Sequence, residues 1–427
     1  MIASTAPHAA SVASTKLKVL YLAPLIPYPL TDGGRQRLHS VMKALLDEHD
    51  VYFAGLARAT DDHSDWPIGR LLAAQPLVTI DKPSMESTKS RVGAVSGLKR
   101  WAQPSAFRRV EATQFGPSLQ LLPLQQIDVV HVATTLVAPF AIALKQQFPH
   151  LQLVADLPDI AWHMRYRVAT RVDGWWYRRS GLNAFVDTAR WYSFEKAVVP
   201  HFSRIFVCSA VDRERLRGWV DLDRVCVAPN GTDVDAVAMS AIPASSSDLV
   251  FVGTMSYEPN EEGVLYFSKE VWPQIRQAMP EARFWIVGKD PSLRVQRLAR
   301  GEDGIVVTGA VPDVRPFLER AAAVVVPLRS GGGTRLKILE AMAAGRPVVS
   351  TAIGIEGIEA KPGRHYLLAD GPEELSHACV VLLRDREKAR AMAAEGRALV
   401  EERYDWRVAL RCLTECYAKL ADARTGL

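Results

Sequence analysis

Short apolar runs alternate with longer amphipathic stretches along this chain, and the whole alternation occurs twice. The first run, Leu17-Lys18-Val19-Leu20-Tyr21-Leu22-Ala23, has the length and side chains of a buried strand. A proline-rich turn follows, then Asp32-Gly33-Gly34-Arg35, then a helix pattern with Leu38, Val41, Met42, Leu45 and Leu46 on one face. Further strands are expected at Val51–Ala54, Ile127–Val132, Leu151–Ala155, Ile205–Cys208 and Val225–Ala228. Helical or loop material separates each from the next, as parallel pairing requires. The pattern breaks at Ser240-Ala241-Ile242-Pro243-Ala244-Ser245-Ser246-Ser247, read as a linker. It restarts at Asp248-Leu249-Val250-Phe251-Val252-Gly253 and continues through Arg283–Val287, Ile305–Thr308, Ala323–Pro327, Pro347–Thr351 and Tyr366–Leu368.

Two such series in succession predict an α/β protein of two Rossmann-like domains facing a central cleft. Ligands are expected in the crevice at the carboxyl ends of both sheets. The divisions are a tail at 1–16, a first domain at 17–239, the linker at 240–247, a second domain at 248–405 and a helical end at 406–427. That end has no strand to serve in the second sheet, so it is expected to cross back to the first domain. A length of 427 residues agrees with two cores rather than one.

Composition narrows the class. The chain is 48% hydrophobic and 23% charged, as in globular proteins, and no apolar run approaches the roughly 20 residues that span a bilayer. The first sixteen residues lack the basic start and apolar block of a signal peptide and read as a disordered tail. Five cysteines (Cys208, Cys226, Cys379, Cys412 and Cys416) form no CxxC pair, which argues against zinc. They are expected to be mostly buried free thiols in a reducing cytosol. A net charge of +5 does not call for nucleic acid. Its distribution says more. Lys89, Arg91, Lys99, Arg100, Arg108 and Arg109 lie in a stretch without acids, and Arg165, Arg167, Arg171, Arg178 and Arg179 are interleaved with Trp162, Tyr166, Trp175, Trp176 and Tyr177. Segments 89–109 and 162–179 are either solvated basic faces or a surface for anionic lipid headgroups or a phosphate-bearing acceptor, which would put the protein peripherally at the inner membrane face.

The most informative chemistry lies in Ser330-Gly331-Gly332-Gly333-Thr334-Arg335-Leu336-Lys337-Ile338-Leu339-Glu340-Ala341-Met342-Ala343-Ala344-Gly345. A strand, a glycine turn and a helix start follow one another. Glycine lets backbone approach a ligand, and the first helical turn offers unpaired N–H groups with partial positive charge. Such a turn cradles a diphosphate, and Arg335 and Lys337 add fixed cations beside it. Glu340, just over one turn further, can accept two hydrogen bonds from vicinal ribose hydroxyls.

This string resembles the nucleotide-sugar motif of the retaining GT-B glycosyltransferases (the family 4, or group 1, type). Four other pieces agree in order: Pro229-Asn230-Gly231-Thr232-Asp233, Val252-Gly253-Thr254-Met255, Gly309-Ala310-Val311-Pro312-Asp313 and Glu340-Ala341-Met342-Ala343-Ala344-Gly345-Arg346-Pro347-Val348-Val349. The resemblance implies transfer of a sugar from a nucleoside diphosphate to an acceptor hydroxyl (on a glycan, a lipid-linked molecule or a small molecule), with retention, in polysaccharide or glycoconjugate synthesis. It implies donor contacts from Gly253, Val311, Gly331, Gly332, Gly333, Thr334, Arg335, Lys337 and Glu340, and a loop of Gly33, Gly34 and Arg35 closing over the phosphates or the reacting sugar. Two departures stand out. The family pairs two glutamates eight positions apart, the first facing the transferred sugar; Gly332 holds that place. The family also carries an Arg and a Lys after the first strand of the donor domain, where this chain has Tyr257-Glu258-Pro259-Asn260-Glu261-Glu262-Gly263. Arg335 and Lys337 are expected to supply that charge and to stabilise the leaving diphosphate. No DxD-like motif stands near, so neither a cofactor nor an obligatory metal is expected.

Two residues of the first half complete the candidates. Asp159 ends the run Asp156-Leu157-Pro158-Asp159 and is either the N-cap of the next helix or a group that positions or deprotonates the acceptor. His131 is either a packed core histidine or a cleft residue. Two other readings share the fold: a non-hydrolysing nucleotide-sugar epimerase, which needs no acceptor, and a non-catalytic partner of another transferase, suggested by Gly332. A nicotinamide enzyme is disfavoured, because no G-x-G-x-x-G follows Val19–Ala23 or Leu249–Val252.

Overall fold

The computed structural model describes residues 16–57, 66, 78–81, 122–170, 177–301 and 303–425. The basic run Lys89 to Arg109 lies outside them, as do Arg171, Trp175, Trp176 and the side chains of Tyr177, Arg178 and Arg179. Two wholly parallel sheets carry the chain. The first contains β1 (Lys18–Ala23), β2 (Asp50–Ala57), β3 (Val78–Asp81), β4 (Val129–Ala133), β5 (Gln152–Leu157), β6 (Arg204–Val207) and β7 (Val225–Val227), in the order β3-β2-β1-β4-β5-β6-β7. The second contains β8 (Asp248–Val252), β9 (Arg283–Val287), β10 (Ile305–Gly309), β11 (Ala323–Val326), β12 (Val348–Ser350) and β13 (Leu367–Leu368), in the order β10-β9-β8-β11-β12-β13. Each order reverses direction beside the first strand of its series, at β1/β4 and at β8/β11. Those are the switch points where a crevice opens. Among the described residues, β3 is the one strand that the apolar pattern did not predict.

The central strands are apolar on both faces because helices cover both faces. Val19 to Ala23, Val129 to Ala133 and Val324 to Val326 are all fully or nearly fully buried. Four helices position the site. α1 (Gly33–Glu48) starts at Asp32, whose side chain accepts from the Arg35 N–H at 3.1 Å, and buries Leu38, Val41, Met42 and Leu45. α2 (Ala161–Ala169) follows β5, and Glu195 rather than Asp159 caps it, accepting from the N–H groups of Ala161 at 3.2 Å and Trp162 at 3.0 Å. α3 (Leu336–Ala343) follows β11 and turns Ile338, Leu339, Ala341 and Met342 into the second core. α4 (Arg411–Thr425) crosses back and places Leu413, Tyr417 and Ala421 in the first domain's core.

Three particulars sharpen or correct the sequence expectations. Cys226 of β7 and Cys412 of α4 form a disulfide across 186 residues, while Cys208 and Cys379 are buried free thiols. The returning helix brings that pair together, which no local spacing could reveal. The Ser240–Ser247 stretch is no loose tether: Ile242 joins the second core, Ser246 donates to the Arg320 carbonyl at 2.6 Å, and Arg346 donates to Ser240. His131 is a core residue rather than a cleft residue. Its Nδ1 lies 2.8 Å from the Tyr417 hydroxyl, its ring stacks on Tyr21 at 4.9 Å, and burial lowers its pKa to about 4. Among the described residues no helix is long and apolar enough to cross a membrane.

Candidate functional site

The glycine loop between β11 and α3 forms one wall of the cleft. Gly331 and Gly333 adopt φ values of 117° and 69°, in the left-handed region that only glycine enters cheaply. Contact with the first domain restricts the loop further. A Cβ at Gly333 would sit 2.4 Å from Asp159 Oδ1 and 2.8 Å from the Pro158 carbonyl oxygen, and one at Gly332 would sit 2.9 Å from the same carboxylate oxygen. Thr334 ties the loop down: its hydroxyl donates to the Cys208 carbonyl at 3.2 Å, and its carbonyl accepts from Asn230 Nδ2 at 3.0 Å. No side chain caps α3, so its first-turn N–H groups are not spent on a cap.

Two cations stand at the start of α3. Arg335 is buried and donates from Nη1 to the Gly333 carbonyl at 2.9 Å, while its Nε and Nη2 have no partner. Lys337 donates to Asn260 Oδ1 at 2.7 Å and lies 4.0 Å from the centre of the Phe251 ring. Asn260 is itself held by the Thr254 carbonyl at 2.9 Å. Burial holds the Lys337 ammonium well below the usual lysine range, and the Arg335 charge pushes the same way, with Glu340 opposing. An anion bound here would relieve both cations.

Gly253 makes room for this arrangement, since a Cβ there would lie 2.7 Å from Asn260 Nδ2 and 2.8 Å from Lys337 Nζ. Gly253→Ala is therefore expected to displace the ammonium and weaken nucleoside-diphosphate binding by about tenfold, the loss of one charge-assisted hydrogen bond. Calorimetric titration against the parent protein checks this.

The opposite wall comes from the first domain. A Cβ at Gly33 would press within 2.7 Å of Leu336 Cδ1, so the first residue of α1 touches the first residue of α3. A Cβ at Gly34 would meet no neighbour closer than 3.5 Å. Arg35 is engaged within its own loop, by Asp32 at 3.0 Å and the Ile26 carbonyl at 3.3 Å. Glu340 accepts from Gln36 of α1 at 3.1 Å, and burial raises its pKa, with the Gln36 hydrogen bond opposing. Val311, beyond β10, packs against the second core. Burial raises the Asp159 carboxyl to about 6, with the Arg335 charge opposing, and its Oδ1 has no hydrogen-bond partner.

The sequence reading missed several contacts that join the two walls. Lys289, just beyond β9, donates to Thr31 Oγ1 at 2.9 Å and approaches Asp32 Oδ2 at 3.6 Å. It reaches that loop because Gly253 and Gly288 pack backbone to backbone: a Cβ at Gly288 would fall 1.8 Å from the Gly253 oxygen. A glycine and a lysine just after the Arg283–Val287 run were the available signal. Arg167 of α2 donates to the Gly331 carbonyl at 3.1 Å and to Glu356, which also accepts from Arg215 at 2.6 Å. Among the described residues no group of three or more His, Cys, Asp or Glu side chains is gathered to hold a metal.

Known proteins match both halves. A model described as "Glycosyl transferase 4-like domain" matches residues 32–231, and one described as "Glycosyl transferases group 1" matches residues 246–385. A GDP-mannose-dependent alpha-(1-6)-phosphatidylinositol monomannoside mannosyltransferase of Mycobacterium tuberculosis is 32% identical over 168 residues, 36% of this chain and 42% of that protein. The chain thus spans less than half the length of the curated relatives it matches. Among solved structures, sucrose-phosphate synthase from Thermosynechococcus elongatus superposes with a TM-score of 0.71 at 19% identity, over 95% of this chain and all of the other. HepE from Anabaena, in complex with UDP and glucose, gives 0.63 at 14% identity, over 94% of this chain and all of the other. Both structural likenesses establish the GT-B fold.

Proposed function

With a glycosyltransferase domain on each side of the cleft, the chain belongs to the GT-B glycosyltransferases, and we propose that it moves a sugar from a nucleoside-diphosphate sugar to an acceptor hydroxyl with retention. One observation carries this reading: three consecutive glycines open an uncapped helix beside Arg335, whose Nε and Nη2 are buried without partners. A buried donor without a partner is costly unless a ligand uses it. A diphosphate at the start of α3 would take the first-turn N–H groups, the Arg335 fork and the Lys337 ammonium together. These same groups would stabilise the negative charge that grows on the diphosphate as the sugar leaves, in a site walled from water by the opposite domain. Glu340 is the proposed ribose ligand, with Gln36 giving way to the vicinal hydroxyls.

The experiment is a thermal-shift series with UDP, GDP and ADP, followed by assay of the matching sugar nucleotides for transfer and hydrolysis. UDP and GDP both belong in it, since HepE was solved with UDP and the mycobacterial relative is named for GDP-mannose. One nucleoside diphosphate at about 100 times its Kd is expected to stabilise the protein by about 2.7 kcal/mol, several degrees in Tm. No shift with any of the three removes the donor reading. Turnover to a rearranged nucleotide sugar without acceptor would favour an epimerase instead.

A further inference from the structure

The loop glycines and Asp159 meet across the cleft in a way that the diphosphate cradle does not use. Asp159 Oδ1 is buried with no partner and occupies the space into which any side chain at 332 or 333 would grow. One residue earlier, a Cβ at Gly331 would lie 2.8 Å from Arg335 Nη2, a second buried atom at this loop without a partner. A carboxylate that accepts and a guanidinium that donates thus border three consecutive positions, a span of roughly 7 Å. Each comes from a different domain. Neither satisfies the other's open valence, and both face a loop stripped of side chains.

We propose that Asp159 is a donor-sugar specificity residue: its carboxylate, delivered from the first domain, accepts a hydroxyl of the sugar while Arg335 holds the adjoining phosphate. The inference rests on the donor reading above and adds the sugar end to it. A sugar nucleotide is the ligand class that presents a hydroxyl and a phosphate oxygen a few ångströms apart. An ionised carboxylate can only accept, so it selects hydroxyls and repels the phosphate, which fixes the direction in which the donor lies. The glycines at 332 and 333 leave the opposite domain room to supply this group. Sugar reading is therefore coupled to the approach of the two domains, because Asp159 contacts the loop only where the walls meet. Pro158 and Ile160 hold the carboxylate in place, the Pro158 carbonyl lying against Gly333 and Ile160 packing in the first core.

The test compares two affinities in each variant, measured by calorimetry with UDP beside UDP-glucose, GDP beside GDP-mannose and ADP beside ADP-glucose. The readout is the ratio of the two constants for the pair that the parent protein binds. In Asp159→Asn, which keeps the shape and removes the charge, the nucleoside diphosphate alone is expected to bind within twofold of the parent. The sugar-dependent ratio is expected to fall about tenfold or more, the effect of weakening one charged hydrogen bond. Gly332→Glu is expected to lose the sugar-dependent part as well, since its Cβ alone would sit 2.9 Å from Asp159 Oδ1 and the new side chain would bring a second negative charge into the same space. In the combined Gly332→Glu/Asp159→Ala variant a carboxylate from the loop replaces the one from the first domain, and the ratio is expected to recover over Asp159→Ala alone. An unchanged ratio in Asp159→Asn, or an equal loss for both ligands, overturns the assignment of Asp159 and leaves the donor site standing. Failure of the parent protein to bind any of the six ligands overturns the donor reading and this inference with it.

Discussion

Arg335→Ala is expected to lower kcat/KM for the sugar donor by about 10²–10³-fold, the usual cost of removing a preorganised charge stabiliser. The size follows from the setting. Arg335 is 8% exposed, and the environment that leaves its Nε and Nη2 without partners also screens their charge poorly. The protein therefore bears the desolvation cost before the donor arrives, and little reorganisation remains when charge develops on the diphosphate. Arg335→Lys should recover only part of the loss, because a point charge cannot reproduce the planar fork. Lys337→Ala should cost less than Arg335→Ala, since Asn260 and the Phe251 ring already share its ammonium. Steady-state kinetics and direct titration with the nucleoside diphosphate check these together. Unchanged donor affinity in both the Arg335 and Lys337 variants would remove the diphosphate from this loop.

What the sequence made legible here was local. Apolar runs such as Val19 to Ala23 and Ala323 to Val326 carry their own strand signal, because a parallel sheet covered on both faces needs uninterrupted hydrophobic residues. The glycine turn was legible for the same reason: Gly331 and Gly333 need left-handed backbone, and the chemistry of the following helix start depends on adjacent residues alone. Contacts across the cleft were hidden. Lys289 finds Thr31 across 258 positions, and Gln36 finds Glu340 across 304. Neither spacing leaves a trace in either segment. Asp159 had an N-cap as its ordinary explanation, yet Glu195, 34 residues from Ala161, performs the capping and leaves Asp159 free to face the glycine loop. Gly332 looked like a loss when read along the chain. In three dimensions a carboxylate from the other domain stands beside it.

Arg37 was equally hidden, a cation one turn before Val41 on the buried face of α1, and its removal is expected to give the largest stability loss in the first domain. Its side chain is 1% exposed and donates to Asp156 through Nε at 2.9 Å and Nη2 at 2.5 Å, to Asn230 Oδ1 at 3.1 Å and to the Ala228 carbonyl at 3.0 Å. Arg37→Ala strands the fully buried Asp156 carboxylate in an apolar surround, for which about 3–5 kcal/mol is typical, or a drop in Tm on the order of 10 °C. The combined Arg37→Ala/Asp156→Ala variant should regain a good part of this, because the uncompensated charge and not the missing attraction makes up most of the cost. Denaturant titration of the three proteins decides it. A double variant less stable than either single one would place the loss in packing around Arg37 instead. The same network carries the consequence to the site: Arg37 orients Asn230, and Asn230 Nδ2 holds the Thr334 carbonyl at 3.0 Å. Even where the double variant regains its fold, the glycine loop should remain less firmly held, and donor affinity should stay below that of the parent protein.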